Sequence, residues 1–152
     1  MDACYVHEPD GDYEPFALKV KLGGPRHVEL NADDTAPGYE RLWSAAFAGG
    51  VHRSSPRARL AEHWFDASTL PERARARRGE HTSARLRAAL ALAQPLRPRP
   101  EGCNVVVKSV QACLAMEWIA RRFDPTVIVV ERNPLNILAS WDELRHGVDP
   151  FE

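Results

Sequence analysis

Apolar residues along the chain gather into a few patterned stretches separated by polar, turn-rich ones, and the period changes from front to back. The first forty residues hold no sustained period. Pro9, Gly11, Pro15, Gly23-Gly24-Pro25 and Pro37-Gly38 interrupt an acidic sequence, so irregular structure is expected there. Tyr39, Leu42, Trp43, Ala46 and Phe47 then recur at helical spacing until Gly49-Gly50, which predicts a short amphipathic helix with this stripe turned inward.

An arginine-rich region from Arg53 to Arg99 follows and reads as mostly helix, with helical stretches around 58–65 and 82–94. In the second, Leu86, Ala89, Leu90 and Ala93 form one stripe, and Thr82 or Ser83 is placed to accept a backbone N–H bond at its start. The prolines at 95, 98 and 100 cannot continue a helix, so 95–103 reads as a Pro-rich connection.

Beyond it the pattern becomes β-like. Val105-Val106-Val107 and Val127-Ile128-Val129-Val130 are unalternating β-branched runs, the pattern of strands buried on both faces of a parallel sheet, and they are expected to be neighbours in it. Between them 111–123 reads as a helix, with Leu114, Trp118 and Ile119 on one side and Arg121-Arg122 near its end, where cations favour the helix dipole. Together these make a right-handed βαβ unit. The whole chain, 1–152, reads as a single α/β domain with a short parallel sheet flanked by helices.

Composition narrows the chemistry. A net charge of −1 with 27% charged residues excludes a protein built around a strong basic field, and no aromatic residues interleave the arginines between 73 and 87, so nucleic acid is not an expected partner. No basic-then-apolar leader and no long apolar run are present, so neither secretion nor a membrane is indicated. Cys4, Cys103 and Cys113 lack metal-ligand or redox spacing and read as reduced thiols of a cytoplasmic protein; the histidines form no metal-binding pattern. The tryptophans at 43, 64, 118 and 141 read as core.

Candidate chemistry lies at the predicted strand ends. The run 127–130 leads to Glu131-Arg132, and Asn133-Pro134 suit the N-cap and first position of a helix over 135–145. Ligands of open α/β sheets sit at the carboxyl ends of the strands, where helix N-termini offer N–H groups to anions. Asn133, Asn136 and Ser140 share one face of that helix, so the Arg132 guanidinium and the Ser140 hydroxyl can converge on one phosphate. Lys108, ending the other valine run, brings a cation to the same sheet edge.

These segments, Val105 to Lys108 and Val127-Ile128-Val129-Val130-Glu131-Arg132-Asn133-Pro134 through Ser140-Trp141, resemble the 3′-phosphate-binding region of sulfotransferases that use 3′-phosphoadenosine 5′-phosphosulfate (PAPS). His7-Glu8-Pro9-Asp10, Pro15-Phe16-Ala17-Leu18 and 39–47 also look similar to bacterial members. The resemblance implies a P-loop NTPase-like three-layer fold and transfer of a sulfuryl group from PAPS, without a metal, to a hydroxyl or amine of a small-molecule or carbohydrate acceptor. It gives Arg132 and Ser140 the 3′-phosphate and Lys108 the sulfuryl group in flight.

The chain departs from the family pattern in two places. The loop resembling Pro-Arg-Ser-Gly-Thr, which holds the 5′-phosphosulfate, is expected before Met1; Arg53-Ser54-Ser55 is a poor substitute, since Pro56 follows and no β run precedes it. The fold is therefore expected to be partial, with exposed sheet edges that favour self-association. Val110 stands where cytosolic members carry a histidine base, which leaves Glu8 as the candidate base and His7 as the lesser one. The alternative is an inactive remnant that binds nucleotide weakly or serves as an interaction surface. A nucleotide-kinase fragment is a further rival, but no Gly-x-x-x-x-Gly-Lys-Ser/Thr motif supports it.

Overall fold

A computed structural model describes residues 3–50, 56–95, 104–131 and 133. Two strands, β1 (Ala3–His7) and β2 (Asn104–Lys108), pair in parallel, with Ala3 opposite Asn104 and His7 opposite Lys108. Their side chains alternate as a pleated strand requires. Cys4 and Val6 are buried and Val105 and Val107 pack on the core, while Tyr5, His7, Val106 and Lys108 face outward. The expectation of strands buried on both faces is thus corrected: among the described residues one sheet face is covered and the other open.

Two further corrections concern where strands form. β1 lies in the stretch expected to be irregular; its period-two pattern is only five residues long and ends directly at the Pro9 and Gly11 turn signals. The run 127–130 is not a strand, and the expected pairing of the two valine runs is replaced by β1 with β2. Val127, Ile128, Val129 and Val130 are 46%, 82%, 62% and 81% exposed, so among the described residues their β-branched preference finds no partner strand.

Six helices accompany the sheet among the described residues: α1 (Pro15–Val20), α2 (Pro37–Phe47), α3 (Pro56–Asp66), α4 (Leu70–Arg77), α5 (Ala84–Leu92) and α6 (Met116–Phe123), the last preceded by a 3-10 turn at Ala112–Ala115. α1, α2, α3 and α4 each carry proline in the first turn, where its missing N–H removes no helical bond. The Ser83 hydroxyl accepts from the Leu86 N–H at 3.2 Å, the cap the sequence offered for α5. α6 ends on Asp124 in the left-handed conformation (φ 45°), with Pro125 behind it. Leu114, expected on the buried side with Trp118 and Ile119, is 54% exposed because the chain there winds as a 3-10 turn with a different period.

Among the described residues the apolar interior has two parts joined by α1. Phe16 and Ala17 enter a cluster with Val6, Tyr39, Leu42, Trp43, Trp118 and Ile119, beneath the sheet. Leu18, one step round the same helix, enters a second cluster with Phe65, Ala76, Leu86, Ala89 and Leu90. A six-residue helix is too short to be stable alone, so α1 exists because both clusters hold it. This fixes the loop after β1, which runs directly into α1.

Cys4 is disulfide-bonded, which corrects its reading as a reduced thiol; Cys113 is free and exposed. Among the described residues no helix is long and apolar enough to cross a membrane.

Candidate functional site

The carboxyl ends of the two strands bring together residues a hundred positions apart. Because His7 and Lys108 are register partners, the residue following β1, Glu8, is carried to the Lys108 side chain. The Glu8 N–H donates to the Lys108 carbonyl at 2.6 Å, and the Lys108 ammonium donates to Glu8 Oε1 at 3.2 Å. The two residues proposed from sequence as catalytic are thus in contact. Arg132 and Ser140, the expected phosphate clamp, lie outside the described residues, as does most of the 95–103 connection.

Glu8 has φ 43°, a left-handed conformation that its Cβ opposes and that the following Pro9 disfavours further. Such a residue stores about 1–3 kcal/mol and persists only where its surroundings impose it. The turn is imposed by the bond to the Lys108 carbonyl, by Gly11 N–H donating to the Glu8 carbonyl at 2.9 Å, and by burial of Pro9 and Asp10. Its effect is to aim the Glu8 carboxylate back over the strand ends. Glu8→Gly is therefore expected to leave unfolding stability unchanged or raise it by about 1 kcal/mol, as relief of strain offsets the lost contacts. Urea denaturation checks this, and a loss of stability would show that the turn is unstrained.

Tyr13 completes the cluster, and sequence reasoning missed it. Its hydroxyl donates to Glu8 Oε2 at 2.9 Å, lies 3.2 Å from the Glu8 carbonyl, and is 3.3 Å from His7 Nδ1. The close approach depends on Gly11, since a Cβ there would stand 2.5 Å from the Tyr13 ring. Burial alone would raise the Glu8 pKa, but the Tyr13 hydroxyl and the Lys108 ammonium outweigh it and hold the carboxyl below its ordinary value. A lowered carboxyl contributes stability that is present above the unfolded pKa and is lost as pH falls through the folded one. Burial, followed by the bond to Glu8, pushes the Tyr13 phenol up, so it stays a neutral donor at physiological pH.

Beneath this exposed cluster lies a buried polar layer, also missed. Asp10, 1% exposed, accepts from Ser109 Oγ at 2.7 Å and from the Tyr39 hydroxyl at 3.2 Å. Burial and then the neighbouring Asp10 raise the Tyr39 pKa, keeping that hydroxyl a donor. Lys21 is buried at the end of α1; its ammonium donates to the Asp10 carbonyl, to Asp12 Oδ1 at 2.9 Å, to Gln111 Oε1 at 2.7 Å and to the Arg26 carbonyl at 3.2 Å. Arg77 reaches Asp12 from α4 at 3.4 Å. Ser109 Oγ in turn accepts from the Gln111 and Ala112 N–H groups, both at 3.1 Å. The loops after β1 and β2 are therefore tied to each other by groups that would each be costly to bury alone.

Fold and site together define an α/β chain with an acid and base cluster at the carboxyl ends of parallel strands, where such sheets place their ligands. Compared with protein-family models, with curated proteins and with solved structures, the chain gives no match. Among the described residues no group of three or more His, Cys, Asp or Glu side chains converges as a metal site.

Proposed function

We propose that this chain is part of a P-loop-type α/β domain for sulfuryl transfer, in which Lys108 meets the anionic group in flight and Glu8 takes the acceptor's proton. The observation that carries the reading is the 3.2 Å contact between the Lys108 ammonium and the Glu8 carboxylate at the strand ends. PAPS suits such a site as donor: the Lys108 side chain is half exposed, so its charge is open to oxygen ligands as well as to Glu8. Arg132 and Ser140 retain their proposed role at the 3′-phosphate.

In this mechanism the free protein's ion pair is exchanged. As the Lys108 ammonium turns to the donor's oxygens, Glu8 loses the cation that helped keep its carboxyl acidic, and it becomes a better base when one is needed. The donor supplies the sulfuryl group: the acceptor oxygen or nitrogen bonds to sulfur, the sulfur–oxygen bond to adenosine 3′,5′-bisphosphate breaks, and the acceptor proton goes to Glu8. Negative charge on the transferring group is met by Lys108 throughout.

The test is release of adenosine 3′,5′-bisphosphate from PAPS across a panel of hydroxyl and amine acceptors. Glu8→Gln is expected to lower kcat about a hundredfold without weakening nucleotide binding, since Lys108 is then freer to meet the anion. Equal rates in the two proteins would remove Glu8 as base. A second reading, nucleotide binding without turnover, is favoured by the same ion pair, because each charge already satisfies the other in the free chain. Nucleotide binding with no release from any acceptor would support it.

A further inference from the structure

The side chains of His7, Glu8, Tyr13 and Lys108 close a ring whose donors and acceptors can be assigned uniquely. An ammonium only donates, so the 3.3 Å contact from Lys108 Nζ makes His7 Nε2 an acceptor. The imidazole proton then lies on Nδ1 and is donated to the Tyr13 oxygen, 3.3 Å away. That leaves the Tyr13 proton for Glu8 Oε2 at 2.9 Å, and Lys108 closes the ring on Glu8 Oε1 at 3.2 Å. Every polar atom of the ring is satisfied, and only with His7 neutral.

A second proton on His7 cannot be accommodated in this ring. It would place an N–H on Nε2, directed at the Lys108 ammonium 3.3 Å away, so two donors and two positive charges would meet. Glu8 Oε1 is 3.9 Å from the same nitrogen and becomes the nearest acceptor for it. Among the described residues the groups facing His7 are Lys108 from β2, Glu8 and Tyr13 from the loop after β1, and the Tyr5 ring with its centroid 6.0 Å away along β1. Of these, Glu8 is the anion that can change partners. The His7 and Lys108 side chains are half exposed, so the exchange needs no opening of the core.

We propose that His7 gates the anion site: on protonation it takes over Glu8, and the displaced Lys108 ammonium, together with the new imidazolium, becomes a receptor for a tetrahedral oxyanion such as a sulfate or phosphate group. At neutral pH the Glu8 carboxylate competes with any such ligand for Lys108. When His7 carries its second proton, Glu8 keeps the Tyr13 hydroxyl on Oε2 and is occupied by His7 on Oε1 instead of by Lys108. Oxyanion affinity therefore rises with acidity. This regulation rests on the proposed role of Lys108 as the anion contact and adds the neighbour that controls it.

The test uses inorganic sulfate as probe, titrated into the full chain and followed by NMR at about pH 5 and about pH 8, either side of the ordinary imidazole value. Sulfate is expected to bind about tenfold more tightly at the lower pH, the scale of one charge-assisted contact released. In His7→Gln, neutral throughout, the affinity becomes independent of pH, and in Lys108→Met it falls at both. The imidazole nitrogen shifts of the unaltered chain supply a second readout, which must give the Nδ1–H tautomer at the higher pH. Equal affinities at the two pH values, the opposite tautomer, or an undiminished pH dependence in His7→Gln each overturn the gate while leaving the anion role of Lys108 intact. Sulfate binding unaffected by Lys108→Met overturns the gate and the proposed anion contact together.

Discussion

Replacing Lys21 by methionine is expected to lower unfolding stability by about 3–5 kcal/mol, the usual result of removing one partner from a buried charge network. The stem of the side chain is kept, so packing changes little and the loss measures the ammonium. Without it the Asp10 carbonyl, the Gln111 amide oxygen and the Arg26 carbonyl lose a donor, and among the described residues Asp12 keeps Arg77 at 3.4 Å and Arg26 at 3.9 Å. The same substitution should loosen the site, because Lys21 ties the loop carrying Glu8 to the loop following Lys108. Urea denaturation gives the stability. A change under about 1 kcal/mol would mean that the network is no stronger than a surface pair.

Trp118→Ala is the second large effect, with an expected loss of about 3–5 kcal/mol and a melting temperature lower by roughly 10 °C. Trp118 is fully buried, packs its ring 5.7 Å from that of Tyr39, and donates from Nε1 to the Asp34 carbonyl at 2.8 Å. The Arg122 guanidinium lies 4.3 Å over the Trp118 ring and reaches the Ala32 and Asp34 carbonyls at 2.9 and 2.6 Å. Truncation would open a cavity between α6 and α2 and also release the segment at 32–34. Calorimetric melting reads the result, and a shift of only a degree or two would show that neighbouring side chains collapse into the space.

Elements whose signal is local were legible in the sequence. α2 and α5 follow from a stripe at helical spacing, with Ser83 capping the second, and β2 from a β-branched run bounded by turn residues. α4 falls in the region read as mostly helix, but its bounds were not legible, since among its residues only Ala76 is buried and no stripe marks a face. Nor was α1, whose six residues depend on two clusters contributed by distant parts of the chain. The segment 127–130 shows the converse limit. Its composition states a preference for extended structure, but pairing is a long-range event that composition does not specify.

The site divides in the same way. Glu8 and Lys108 could be named because a family resemblance pointed to them, and the parallel register then explains why they meet. Tyr13 carried only a weak signal, an aromatic residue five positions after Glu8 with Gly11 between them. Asp10, Lys21, Ser109 and Gln111 carried none, because a buried polar residue looks like a surface one until its partners are known.

The proposed function stands or falls with the Lys108 ammonium, delivered to the strand end beside Glu8, as the contact for an anionic nucleotide group. Calorimetric titration of adenosine 3′,5′-bisphosphate into the chain and into Lys108→Met tests it directly. Binding is expected to weaken about tenfold or more in the variant, the scale of one charge-assisted hydrogen bond. Equal affinity in both proteins would contradict it.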